Sequence, residues 1–173
     1  MAKSKIEIRV SKIEGRGCFA SCNIKKGETV CIMRGKQVSI PMLKKDYSEG
    51  KTRIDDPLQI SDKIYLKLKV PFIYINHSCS PTSCIVKSDK LVAFKNIKKG
   101  EEITFDYSLT EWTDDSIWGI NWQEIWGFQC NCGAKNCRRK IKEFPKLPEK
   151  IKKAYSDSGM LPDFILKKIK KQT

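Results

Sequence analysis

Three thiols stand within eight residues at Cys130-Asn131-Cys132-Gly133-Ala134-Lys135-Asn136-Cys137, wrapped around a glycine. In a reducing compartment, cysteines this close together point to metal rather than to a disulfide framework, and zinc favours tetrahedral thiolate sites. A Gly-Ala-Lys-Asn loop offers no core in which the three could simply pack as small hydrophobes. Structural zinc is usually four-coordinate, so a fourth ligand must come from elsewhere in the chain, and Cys79 and His77 are the candidates.

Two further segments carry residues with chemistry. Asn76-His77-Ser78-Cys79-Ser80-Pro81 holds the chain's only histidine, which excludes any mechanism needing two. A His beside Ser and Cys suggests a nucleophilic pair, but no second acid or base stands near it, and the alternation of side chains along a strand argues against a simple Cys–His dyad. Gly100-Glu101-Glu102-Ile103-Thr104-Phe105-Asp106-Tyr107 places a tyrosine at the end of a β-favouring run. Taken alone, such a tyrosine is most often a core residue with its hydroxyl satisfied. Cys18, Cys22, Cys31 and Cys84, scattered among apolar residues, read as small buried hydrophobes.

The elements that must position these groups are mostly short strands. Ile6-Glu7-Ile8-Arg9-Val10 alternates with the period of a half-buried strand, and Gly15-Arg16-Gly17 breaks it before Cys18-Phe19-Ala20. Lys25-Lys26-Gly27-Glu28 and Lys98-Lys99-Gly100-Glu101 are each a polar turn followed by a β-favouring run. Residues 38 to 56 have no clean period and predict a loop-rich stretch with at most a short helix. Leu58-Gln59-Ile60 and Ile64 to Leu68 predict strands, and Cys84-Ile85-Val86 with Leu91 to Phe94 predict a hairpin through Lys87-Ser88-Asp89-Lys90. Trp112, Trp118, Trp122 and Trp126 predict a packed helical or loop surface. From Pro148 onward, two short amphipathic helices divided by Ser158-Gly159 and Pro162 are expected.

At 173 residues, 40% hydrophobic and 31% charged, the composition is that of a soluble globular protein with one core and room for a small appended module. No apolar run reaches the roughly 20 residues of a spanning helix and the first residues lack the apolar stretch of a signal peptide, so an intracellular protein is expected, without membrane contact. The net charge of +14 divides unevenly: residues 1 to 100 hold 21 basic and 9 acidic residues, 101 to 133 hold 7 acidic and no basic ones, and 134 to 173 hold 13 basic and 4 acidic. An acidic island thus lies between two basic blocks.

Residues 14 to 20, 74 to 81, 100 to 107 and 130 to 137, in this order, resemble the SET-domain lysine methyltransferases. They are similar to that family's glycine-containing donor turn, its Asn-His-Ser-Cys-x-Pro motif, its Gly-Glu-Glu-x-x-Phe-Asp-Tyr motif and its zinc-binding post-SET segment. The resemblance implies a mostly β (α+β) fold of several small twisted sheets: a SET domain over 1–111 with a variable insertion at 38–68, a post-SET zinc segment over 112–142 and a basic helical extension over 143–173. It implies S-adenosylmethionine as methyl donor, with Glu14, Gly15, Arg16 and Gly17 at its methionine end, Asn76 and His77 on its amino group and adenine, and Phe128 and Asn131 completing the adenine pocket. Tyr107 would be the catalytic tyrosine and would also touch the donor. Cys79, Cys130, Cys132 and Cys137 would hold one structural zinc ion.

Phe105 matches the position where the family carries phenylalanine or tyrosine, which implies activity beyond monomethylation. The substrate implied is a lysine in a protein, such as a histone or another basic chromatin protein, drawn by Glu101, Glu102, Asp106, Glu111, Asp114 and Asp115 around the tyrosine. A nuclear or chromatin location follows for a chain acting in a eukaryotic cell, and a cytoplasmic one otherwise; a monomer is expected, and the basic tail could contact a nucleosome or nucleic acid. The sequence departs from the pattern at Met33-Arg34-Gly35, where many relatives have Tyr-x-Gly, at Thr82 in place of asparagine, and at Arg139 in place of glycine. The competing class is a zinc-containing chromatin or nucleic-acid-binding module with a vestigial donor pocket.

Overall fold

The computed structural model describes residues 4–53, 55–112, 118 and 126–172. Its strands are two to five residues long, too short for one large sheet, and they form four small antiparallel ones. Among the described residues, no helix is long and apolar enough to cross a membrane.

In the first sheet, β1 (Ile6–Val10) pairs with β2 (Arg16–Ala20), and β2 with β9 (Glu102–Ile103). The β1–β2 turn closes through the Ser11 N–H donating to the Gly15 carbonyl at 3.0 Å. Gly15 sits at φ +45°, a left-handed conformation that glycine adopts without a Cβ penalty. The second sheet runs β3 (Thr29–Ile32), β8 (Lys90–Ala93), β7 (Ser83–Val86), and the expected β7–β8 hairpin is present. The third runs β4 (Gly35–Ser39), β6 (Ile64–Leu68), β5 (Leu58–Gln59). Between β4 and β5 lies the short helix α1 (Ile40–Ser48), with Pro41 in its first turn, where the missing N–H costs nothing.

Cys18, Ala20, Ile24, Ile75, Leu91, Ile97 and Ile103, all at most 1% exposed, fill the space between the sheets. Cys22 is a correction to the expectation that all four scattered cysteines are buried: it is exposed, and Cys31 is half-buried. Phe72–Tyr74, just before the histidine motif, forms a 3-10 turn.

Near the C-terminal end, β10 (Phe128–Gln129) and β11 (Lys140–Ile141) form the fourth sheet. Helices α2 (Glu149–Asp157) and α3 (Asp163–Gln172) follow as expected. They do not project into solvent. Leu161, Phe164 and Ile165 bury against Leu109, Trp112, Phe144 and Leu147, with the Trp112 and Phe144 rings stacked at 5.4 Å. Trp112, Trp118 and Trp126 are all buried; Trp122 lies outside the described residues.

Candidate active site and metal centre

Backbone pairing brings the two central motifs together. The Phe105 N–H donates to the Asn76 carbonyl at 3.2 Å and the Ser78 N–H to the Phe105 carbonyl at 3.1 Å, so segments 76–78 and 105–107 run side by side. Tyr107 therefore starts a 3-10 turn (Tyr107–Thr110) just past this pairing, rather than closing a strand. Asp106 caps that turn by accepting from the Ser108 N–H at 3.1 Å.

A cavity of about 370 Å³ opens beside these segments. Of the residues expected to hold a donor, Glu14, Gly15, Arg16, Asn76, His77, Tyr107, Phe128 and Asn131 line it. Gly17 does not: it sits in β2, where a Cβ would run into the Glu102 carboxylate. That carboxylate accepts from Ser11 Oγ at 2.8 Å and from Asn76 Nδ2 at 2.9 Å. Asn76 Nδ2 also reaches the Glu14 and Arg16 carbonyls at 3.3 and 3.2 Å. The amide nitrogen is thus engaged by the chain itself. Arg16 lies over the Tyr74 ring at 4.0 Å and also donates to its hydroxyl.

A second, narrow cavity of about 20 Å³ is walled by Leu58, Leu68, Phe72, Phe105 and Trp126. Both cavities are lined by Asp55, Asp56, Ile73 and Tyr107, so they meet at the tyrosine. Tyr107 donates its hydroxyl to the Ile75 carbonyl at 2.8 Å. Burial, with the carboxylates of Asp55, Asp56 and Glu14 nearby, pushes its phenol well above the usual range, so it stays protonated. Asp56 is pushed up by burial and by its neighbour Asp55. These two aspartates and Arg53, which bridges Glu14 at 2.9 Å and Asp55 at 3.1 Å, escaped the sequence reading because they fall in the aperiodic 38–56 stretch. The adjacent acidic pair Asp55-Asp56 was the available signal.

His77 is 4% exposed, and burial pushes it down to about 4, so it is neutral. The Tyr107 N–H donates to its Nδ1 at 3.2 Å, which leaves the proton on Nε2, 3.4 Å from Cys79 Sγ. Strand alternation does not separate His77 from Cys79 as expected. They are two residues apart, a spacing that puts side chains of extended chain on one face rather than on opposite ones, and they touch.

The Sγ atoms of Cys79, Cys130, Cys132 and Cys137 lie within 4.8 Å of one another, with Cys79 and Cys130 at 4.0 Å. Zinc–sulfur bonds of about 2.3 Å in a tetrahedron put sulfurs roughly 3.8 Å apart, so the four fit zinc. Burial pushes Cys79 up to about 11 and raises Cys130, whereas N–H donors from Cys79 and Ala134 overcome burial and draw Cys132 down to about 7. A divalent cation is what would hold all four as thiolates. The Arg138 N–H donates to Cys79 Sγ at 3.4 Å, the outer-shell contact such sites use. Cys79, not His77, is the fourth member.

The acidic island does not surround the tyrosine as a surface. Asp106 and Glu111 are buried, Asp106 against Arg138 at 2.6 Å and Glu111 accepting from the Tyr65 hydroxyl at 2.7 Å. Glu102 is engaged by Asn76 and Ser11, and Glu101 pairs with Lys95 at 3.5 Å. Asp114 and Asp115 lie outside the described residues. Negative charge at the cavities comes instead from Glu14, Asp55 and Asp56, with Glu111 at the narrow one.

The SET domain family model matches residues 15–108. Human histone-lysine N-methyltransferase 2D is 27% identical over 150 residues, covering 79% of this chain and 2% of that protein. Human histone-lysine N-methyltransferase 2B is 31% identical over 154 residues, covering 80% of this chain and 5% of that protein. The chain therefore spans a small fraction of the curated relatives it matches. Among solved structures, ctPRC2 in an autoinhibited conformation bound to S-adenosylmethionine superposes with a TM-score of 0.54 at 24% identity, over 63% of this chain and 16% of that one, a likeness of fold. With the family model covering more than half of its 173 residues, the chain belongs to the SET-domain family.

Proposed function

We propose that this chain transfers methyl groups from S-adenosylmethionine to the side-chain amine of a lysine in a protein. The observation that carries the reading is the meeting of a wide cavity and a narrow one at Tyr107, with Asp55, Asp56 and Ile73 as their other shared walls. When bound, the donor supplies an electrophilic methyl group on a cationic sulfur. The residues around the wide cavity fit it: Phe128, Tyr107 and His77 would give an aromatic wall for a base, the Asn76 amide oxygen would accept from an ammonium, and Glu14, Gly15, Arg16 and Asn131 would close the rim.

An amine must arrive uncharged and in line; Asp55, Asp56 and Glu111 at the narrow cavity would attract the charged lysine, and the cationic sulfur of a bound donor would then favour loss of its proton. Tyr107, a neutral phenol, orients the amine rather than acting as a phenolate base. The amine nitrogen's lone pair forms the new bond as the sulfur–methyl bond breaks, and a proton passes from the amine to water. Phe105, 4% exposed with its ring 4.7 Å from that of Tyr107, offers no hydroxyl to hold a water there, and so we read the site as working beyond monomethylation.

The names of the similar human proteins favour a histone or another basic chromatin protein as substrate, in a nuclear setting. Zinc on Cys79, Cys130, Cys132 and Cys137 would hold the segment that carries Phe128 and Asn131. Calorimetry with the zinc-loaded protein tests donor use: micromolar binding of S-adenosylmethionine, lost on Asn76→Ala, is the expected result. Absence of binding by the parent would favour a binding module with a vestigial pocket.

A further inference from the structure

We propose that Arg138 is a positioning residue for Tyr107, carrying the geometry of the zinc-binding segment into the turn that presents the phenol. Arg138 directly follows Cys137, and its guanidinium reaches back across the fold. Its two terminal nitrogens each take one oxygen of Asp106 at 2.6 Å, and Nη2 also donates to Ser108 Oγ at 3.0 Å. Asp106 and Ser108 are the two chain neighbours of Tyr107, so the residue is gripped on both sides. At the other end, the Arg138 N–H is hydrogen-bonded to Cys79 Sγ at 3.4 Å, inside the thiol cluster. One residue thus joins the metal centre to the turn.

A buried ion pair is weak ground for stability, because desolvating two charges offsets their attraction. This pair is buried: the Asp106 side chain is 0% exposed and that of Arg138 14%. Arg138 Nε is also buried without a partner among the described residues, so the fork is turned towards Asp106 and Ser108 at the expense of its remaining donor. What a two-pronged contact provides beyond attraction is orientation, since a planar guanidinium fixes a carboxylate in register where an ammonium does not. The contact therefore sets where the turn beginning at Tyr107 starts and which way its first residue points.

The consequence for rate rests on the methyl-transfer reading; the coupling between zinc and Tyr107 does not. The test compares the zinc-loaded parent with Arg138→Lys and with the double variant Asp106→Asn/Arg138→Met, which removes both charges and leaves no carboxylate stranded. Zinc content, donor affinity, kcat and KM are measured, together with hydrogen exchange at the Tyr107 and Ser108 amides with and without zinc. In the parent, zinc is expected to slow exchange at these amides at least tenfold. In the double variant this effect should shrink below threefold while zinc content and donor affinity stay near the parent's, with kcat lowered about tenfold and KM little changed. Arg138→Lys, which keeps the charge but not the fork, should fall between. A double variant that keeps the parent's kcat and its zinc-dependent protection overturns the proposal, leaving Arg138 as a buried ion pair only. If the parent transfers no methyl group, the exchange data alone decide the coupling, and it is the methyl-transfer reading that fails.

Discussion

Residue by residue, the positions that depart from the family pattern are as informative as those that follow it. Arg139 stands where relatives often have glycine, and it still adopts the glycine-like conformation, with φ +63°. Its side chain is exposed, and the conformation is held by backbone bonds, the Cys130 N–H donating to the Arg139 carbonyl and the Lys140 N–H to the Arg138 carbonyl, each at 2.7 Å. Arg139→Gly should raise stability by roughly 0.5–1 kcal/mol, the relief of strain less the entropy that glycine adds to the unfolded chain, as read by denaturant unfolding of the zinc-loaded protein. Phe105→Tyr should place a hydroxyl against Tyr107 and shift the product towards monomethyl-lysine by mass spectrometry. A variant making the parent's higher products would show that Phe105 does not set the count. At this scale the sequence was readable where residue type and motif coincide, as at Tyr107, Asn76 and the four cysteines. For Asp55, Asp56 and Arg53 the acidic pair was a signal without a location, since their importance comes from their place at the cavities, and no charge count reveals the burial of Asp106 and Glu111.

Single elements, by contrast, announced themselves through period and punctuation: the β1–β2 hairpin through alternation broken by glycine, the β7–β8 hairpin through its polar turn, and α2 and α3 through their apolar stripes. The pairing between elements was not written in any local pattern, because short strands from distant segments meet through backbone hydrogen bonds that carry no sequence signature. The pairing of segment 76–78 with 105–107 is the instance that matters here. The other is the return of β10 and β11, with the thiol cluster between them, onto Cys79. Stripping zinc with a chelator should loosen this element and remove the wall formed by Phe128, Cys130 and Asn131. Donor affinity should then fall at least tenfold while far-UV circular dichroism is largely kept, since the main core of Cys18, Leu91 and Ile103 contains no ligand. Unchanged affinity in the zinc-free protein would separate the metal from the pocket.

For the molecule as a whole, the basic tail is part of the fold rather than an appendage. Phe164→Ala should cost ~3–5 kcal/mol in unfolding free energy, the range for a large aromatic removed from a packed core. Deleting 143–173 would expose Trp112 and Leu109, so it cannot serve as a clean test of what the tail binds. Replacing the exposed Lys150, Lys153, Lys167, Lys170 and Lys171 by glutamine leaves the core intact. If the tail contributes to nucleosome contact, this variant should bind nucleosomes more weakly and with a flatter salt dependence; binding identical to the parent's at every salt would remove the tail from that role. The central claim, that two cavities meet at Tyr107 to carry methyl transfer, is tested most directly by incubating the zinc-loaded protein with labelled S-adenosylmethionine and core histones and mapping the label by mass spectrometry. Label on lysine side chains, reduced at least a hundredfold by Tyr107→Phe while donor binding by calorimetry stays within a few-fold of the parent's, is the predicted result. Methyl transfer undiminished in Tyr107→Phe would contradict it.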